Sequence, residues 1–186
     1  IAGLEEGVID ADTYITDYVE YTKVVPHANC WNSAGHGTIN VEQAIEYSCN
    51  YFFYEVGYRL GSKDNTTELN DSTGLALLAK YAKMFGLDSV SGLELPETTP
   101  RISDESVVRS AIGQATHNYT AAELARYVTA IANSGNLYQL SVLDKITDSE
   151  GNVLEKNEPK LTNKIELKQS TWDMVHTGMY KVCNES

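Results

Sequence analysis

The chain has 186 residues, a formal net charge of −12 and only 22% charged residues. That length is ample for a domain with a buried core, and the acidic balance argues against nucleic acid or an anionic lipid surface as the main partner. No apolar run is long enough to cross a bilayer and no signal peptide is present, which leaves localisation open. Three cysteines, Cys30, Cys49 and Cys183, are an odd and sparse set for a disulfide framework. They read as three buried or semi-buried thiols; one pair among them is possible, and spacing does not pick it.

In chain order, Ile1 to Val8 reads as a helix end stopped by Gly7, and Asp10 to Val25 as loop and short strand. Pro26 to Thr38 is an ordered loop holding His27, Cys30, Trp31 and His36. Asn40 and Gln43 have the spacing of a capping box, which starts a helix leading to Ser48. A second helix follows on Phe52, Phe53, Val56 and Leu60, and Gly61 to Asp71 reads as a polar, flexible insertion. Leu75, Leu78, Ala79, Ala82 and Phe85 predict one apolar helix face that Gly86 ends.

Val90 to Arg101, with its prolines, reads as an extended connection, and Ser103 as the cap of a helix with Asp104 and Glu105 in its first turn. Thr120 to Glu123 is the clearest capping box, before a helix whose apolar side is Leu124, Tyr127, Val128 and Ile131 and whose end is Asn133-Ser134-Gly135. A change of period over Leu137 to Ile146, then Asp148 to Asn152, then Val153-Leu154, predicts a hairpin. Trp172, Val175, Met179 and Val182 suit a helix beside it.

The stretch Tyr47-Ser48-Cys49-Asn50-Tyr51 stands between two helical patterns. Residues two apart point to different faces of a helix but share a face on extended backbone. If Ser48 and Asn50 act in one site, regular helix breaks between them. A hydroxyl can relay a proton and a carboxamide can donate and accept at once, so such a junction can do acyl chemistry.

Ser-x-Asn is the second of three motifs of the penicillin-binding proteins and serine β-lactamases, beside Ser-x-x-Lys and Lys-Thr-Gly. Here it is accompanied, in order, by Cys30-Trp31, Gly35-His36-Gly37, Ala44-Ile45, Tyr51-Phe52-Phe53-Tyr54, Gly86-Leu87, Ser91 to Pro96, Ile112-Gly113-Gln114 and Leu124-Ala125. That series resembles the transpeptidase domain of a class B penicillin-binding protein, closest to the elongation type, across nearly the whole chain. Neither Ser-x-x-Lys nor Lys-Thr-Gly occurs. The expectation is that residues 1–186 are a partial transpeptidase domain between the first and third motifs, inactive alone.

The resemblance implies an α+β, β-lactamase/transpeptidase-like fold: an antiparallel sheet flanked by helices, of which this chain holds most of the helical subdomain plus a β-hairpin. It implies a parent that is a serine D,D-transpeptidase. The parent attacks the D-Ala-D-Ala bond of a peptidoglycan stem peptide, forms an acyl-enzyme and passes the acyl group to an amine. β-Lactams acylate the same serine. The nucleophile is the absent first-motif serine, which needs a neighbouring base. Ser48 passes the proton; Asn50 binds the donor amide and helps hold the lysine. No metal or organic cofactor is implied, and other cell-wall synthesis proteins are candidate partners. The implied place is the extracytoplasmic face of a bacterial membrane, reached only through an anchor outside this chain. A β-lactam-sensing receptor domain of the same fold and a non-catalytic scaffold remain alternatives.

Three rival features read as structural. Gly35-His36-Gly37 offers an exposed base, but no Gly-x-Ser-x-Gly elbow accompanies it, so His36 is positional. His27, Cys30 and His36 lack a fourth ligand and match no regular zinc spacing, so they pack with Trp31. Ala115 stands where the resembled family has a third glycine, which puts a left-handed backbone there in doubt.

Overall fold

The structure is a computed structural model that describes residues 1–63 and 68–185. In chain order the elements are α1 (Ala2–Glu5), β1 (Ile15–Asp17), β2 (Glu20–Tyr21), β3 (Ala28–Asn29), β4 (Gly37–Ile39), α2 (Val41–Glu46), α3 (Asn50–Gly61), α4 (Asp71–Met84) and α5 (Val107–Ser110). After them come α6 (Ala121–Ala132), β5 (Asn136–Tyr138), β6 (Lys145–Thr147), β7 (Val153–Lys156), β8 (Leu161–Lys164) and α7 (Gln169–Asn184). The composition is mixed α+β, with four two-stranded antiparallel sheets among the described residues. None of the described helices is long and apolar enough to cross a membrane. The centre of the insertion read from the sequence, residues 64–67, lies outside the described residues.

The chain divides into two compact units. The first draws on Ile1–Tyr81, Ser103–His117 and the stretch from Leu167. Its β1 pairs with β4, with Ile15 opposite Ile39, and β2 pairs with β3. α3 is the spine: Phe52 and Leu60 are fully buried, and Tyr54 joins Tyr21, Ala28, Val107 and Val108 in one apolar cluster. Each such side chain contributes about 1.5–3 kcal/mol of burial. Small residues let the helices close on one another. A Cβ on Gly57 would come within 2.8 Å of the Val107 carbonyl, and one on Gly74 within 2.6 Å of the Val107 side chain and 2.9 Å of the Gly61 nitrogen.

Glu55 is buried on α3 and satisfied by Tyr21 Oη at 2.8 Å, Lys23 Nζ at 2.7 Å and Arg59 Nε at 2.9 Å. Burial pulls its carboxyl upward, but these donors outweigh that and hold it below the usual range. α7 packs on α2: Gly178 fits against Ile45 and the Glu42 carbonyl, Lys181 bonds Glu42 at 3.1 Å, and Trp172 and Val175 are buried. The sequence expectation set this helix beside the hairpin; its packing partner is α2.

The second unit comprises Ala82–Ile102 and Asn118–Glu166. The hairpin forms, as β6 paired with β7, and stands as a two-stranded ribbon with both strands exposed. β5 pairs instead with β8. The capping box at Thr120 is present, but α6 buries only part of the face its apolar residues predict: Ile131 is buried and Tyr127 half-buried. Leu124 and Val128 are 43% and 46% exposed, whereas Glu123 and Arg126 are buried. The reason is the backbone that these two side chains bond. Glu123 closes the cap, and the Arg126 guanidinium donates to the carbonyls of Gly86, Ser89, Val90 and Ser91, which satisfies the irregular chain after α4.

Two further local expectations change. Ser103 caps nothing: the N-cap of α5 is Ser106, and the buried Ser103 hydroxyl instead donates to the Glu105 carbonyl. On α4 the leucines are half-buried, and the deepest positions are Gly74 and Tyr81, where the close approach is made.

Candidate active site

The site residues named from the sequence sit where α2 ends and α3 begins. α2 starts with the expected capping box between Asn40 and Gln43. It ends in a Schellman turn: the Cys49 amide donates to the Ala44 carbonyl at 3.0 Å and the Ser48 amide to the Ile45 carbonyl at 3.2 Å. The residue after the C-cap of such a turn is left-handed and is usually glycine. Here it is Ser48, at φ +51, a conformation that costs a side-chain-bearing residue about 1 kcal/mol. The next helix needs a new cap, and Cys49 supplies it by accepting from the Phe52 amide at 3.4 Å. Asn50 is then the first residue of α3.

The break expected between Ser48 and Asn50 is therefore real. Ser48 is exposed and Asn50 half-buried. Among the described residues, neither the Ser48 hydroxyl nor the Asn50 carboxamide is taken up in a hydrogen bond. A hydroxyl and a carboxamide two residues apart are left free to meet a reacting group.

A second layer braces this junction. Trp31 is 65% exposed, yet its indole N–H donates to the Ser48 carbonyl at 2.9 Å and the Tyr47 carbonyl at 3.2 Å. Its ring meets His36 edge-on, with centroids 5.4 Å apart, and His36 stacks on Tyr47 at 5.9 Å. His36 is positioned in turn by Asp17, whose Oδ2 lies 2.7 Å from Nδ1 and also accepts the His36 amide at 3.2 Å. The Asp17 carboxyl is raised by burial, but bonds from His36, the Val19 amide and the two thiols outweigh that and hold it below the usual range. Burial also pushes the Cys49 thiol far up. The His36 side chain is itself buried, which fits a positional residue better than an exposed base.

The same group can hold a metal ion. Donor atoms of Asp17, Cys30, His36 and Cys49 all lie within 4.8 Å of one another. Two thiols, an imidazole and a carboxylate suit four-coordinate zinc, and the Cys30 and Cys49 sulfurs, 4.0 Å apart, are both free and buried. This corrects the ligand set weighed from spacing. His27 is exposed and pairs with Glu20 at 3.0 Å, whereas the missing ligands come from β1 and from the cap of α3. Cys183 is exposed, not semi-buried, and is not one of these four ligands.

Sequence reasoning found Ser48, Asn50 and the helix break but missed Asp17 and the role of Trp31. Asp17 is one carboxylate among many, and only the pairing of β1 with β4 brings it under His36. The signal for Trp31 was the Cys30-Trp31 pair, which carried no hint of a backbone contact. Further along, both Gly113 and Ala115 have positive φ, at +79 and +68. The left-handed backbone persists at Ala115 without the glycine, and His117 buttresses that loop by accepting from the Ser103 amide at 3.0 Å.

The family described as the penicillin binding protein transpeptidase domain matches residues 1–186. Penicillin-binding protein H of Bacillus subtilis is 31% identical over 77% of this chain and 22% of its own length. The peptidoglycan D,D-transpeptidase MrdA of Haemophilus influenzae is 26% identical over 99% of this chain and 29% of its own. Among solved structures, penicillin-binding protein 2B of Streptococcus pneumoniae strain R6 superposes with a TM-score of 0.81 at 25% identity, covering 100% of this chain and 32% of that one. The chain thus spans under a third of the length of each of these three relatives.

Proposed function

Because the chain belongs to the penicillin-binding protein transpeptidase family, we propose that the protein carrying it is a serine D,D-transpeptidase that cross-links peptidoglycan and is acylated by β-lactams. Residues 1–186 are the part of its transpeptidase domain between the nucleophile and the Lys-Thr-Gly strand. The observation that carries the reading is the α2–α3 junction, which keeps the exposed Ser48 hydroxyl and the half-buried Asn50 carboxamide unspent at a strained turn.

In this mechanism a serine outside residues 1–186 attacks the carbonyl of the penultimate D-Ala, and its lysine neighbour takes the proton. Ser48 carries a proton on to the nitrogen of the departing D-Ala. Asn50 accepts from and donates to the donor peptide's amide, fixing the carbonyl for attack. An amine of a second stem peptide then takes the acyl group and frees the serine. No step needs a metal; an ion held by Asp17, Cys30, His36 and Cys49 would fix the turn that presents Ser48. The protein acts on the outer face of the cell membrane, beside other wall-synthesis proteins.

The test is labelling with a fluorescent penicillin, followed by intact mass. The full-length protein is expected to gain one adduct and the 186-residue chain alone none. Label on the short chain would place the nucleophile inside it and overturn the assignment of roles. Label on the full-length protein with no cross-linking of stem peptides would point to a β-lactam sensor.

A further inference from the structure

We propose that Trp31 is a positioning residue for acylation, a clamp whose indole N–H holds the left-handed turn that presents Ser48. The proposal rests on the transpeptidase reading above for its kinetic consequence, but not for its structural one.

A Schellman turn leaves the C-cap and C′ carbonyls pointing out of the helix, unpaired by the helix itself. At this turn those carbonyls belong to Tyr47 and Ser48, and both accept from the single donor of Trp31, at 3.2 and 2.9 Å. Packing alone does not explain the contact, because Trp31 is 65% exposed. Trp31 is held instead by its donor and by its edge contact with His36, which stacks nearly parallel to Tyr47. The three rings form a brace whose outer end ties down the backbone on either side of the Tyr47–Ser48 peptide.

The brace has work to do. Serine in a left-handed position is less stable than glycine there. The Ser48 and Cys49 amides hold the turn from inside, but the Ser48 hydroxyl adds no bond of its own. Without the indole donor, the Tyr47–Ser48 peptide is restrained only by the two amide bonds of the turn, and the hydroxyl has more room to swing off its line to the reacting groups. The clamp thus acts through Ser48, not on the substrate.

The experiment replaces Trp31 in the full-length protein with 3-benzothienylalanine, which keeps the ring shape and loses the N–H, and in parallel with Phe. Acylation by a chromogenic cephalosporin is resolved into a binding constant and a rate constant. The sulfur analogue is expected to lower the rate constant about tenfold, the loss of roughly one hydrogen bond's positioning, with binding changed less than about threefold. Combined with Ser48→Ala it should lower the rate no further than Ser48→Ala alone, because two residues acting through one group do not add. Amide exchange at Ser48 and Cys49 should rise about tenfold in the same variant, with α6 unchanged. An unchanged rate constant in a wild-type protein that acylates, or multiplicative effects in the double variant, would overturn the proposal. So would unchanged exchange at Ser48 and Cys49, which is read even if the wild-type protein takes no label and the transpeptidase reading fails.

Discussion

Ser48 and Ser106 share an unusual backbone and use it differently. Both are non-glycine residues in the left-handed region, at φ +51 and +47, and both stand at a helix boundary. Ser106 spends its hydroxyl on its own helix, accepting from the Arg109 amide as the N-cap of α5. At the α2–α3 junction the corresponding task falls to the neighbouring Cys49, and the Ser48 backbone is held from outside by Trp31. The strain at Ser106 is offset by a bond within the turn. The strain at Ser48 is kept while the hydroxyl stays available. A free polar group on strained backbone, supported by other residues, marks a site; the same group bonded within its own turn marks a cap.

The largest difference should appear in acylation. Ser48→Ala or Asn50→Ala in the full-length protein is expected to slow penicillin acylation by on the order of 10²–10⁴-fold with the melting temperature nearly unchanged. Ser106→Ala should leave acylation at the wild-type rate. Time courses with a labelled penicillin distinguish the two serines, and equal losses would mean that both act through the fold.

Metal loading should act on one side of the comparison only. Zinc at a hundredfold excess over its dissociation constant would stabilise the folded chain by about 2.7 kcal/mol. Cys49→Ser should remove most of that gain, Ser106→Ala none of it, and a chelator should reverse it. Equilibrium dialysis with calorimetry reads both stoichiometry and shift. No uptake would leave the four side chains as a hydrogen-bonded brace.

The cap itself gives a smaller effect. Ser106→Ala should cost about 1 kcal/mol in denaturant unfolding, and Ser106→Gly only a few tenths, because glycine relieves the backbone while losing the bond. The smallest response concerns the brace around α1. Glu6, bonded by Lys63, Lys80 and Tyr81, titrates near 2, below its ordinary 4.5. A depressed carboxyl stabilises the fold above its unfolded value, so that contribution is complete above pH 4.5 and is lost as pH falls toward 2. Glu6→Gln should flatten the stability profile over that window and change neither serine's behaviour.

Much of this was legible in the sequence where the signal is local. The capping boxes at Asn40 and Thr120, the stop at Gly86, the turn before Val153 and the broken helix at Ser48 each depend on residues within a few positions of one another. What escaped depends on distant partners. The apolar pattern of α6 holds at Tyr127 and Ile131 but fails at Leu124 and Val128, which are exposed. Arg126 is buried instead because four carbonyls some 35 to 40 residues earlier require a donor. Ser103 looked like a cap because acidic residues follow it, whereas Ser106 has the geometry. In the candidate site, Ser48 and Asn50 were readable as a motif. Asp17 beneath His36 and Trp31 across the turn were not, since the pairing of β1 with β4 and the path of the loop between them bring these residues together.

The most direct measurement is Ser48→Gly in the full-length protein, scored for stability and acylation together. Glycine accepts the left-handed turn without strain and brings no hydroxyl. The expected result is a gain of about 0.5–1 kcal/mol in unfolding free energy with penicillin acylation lowered at least a hundredfold. A variant that acylates at the wild-type rate would contradict the claim that the turn is strained for the sake of the Ser48 hydroxyl.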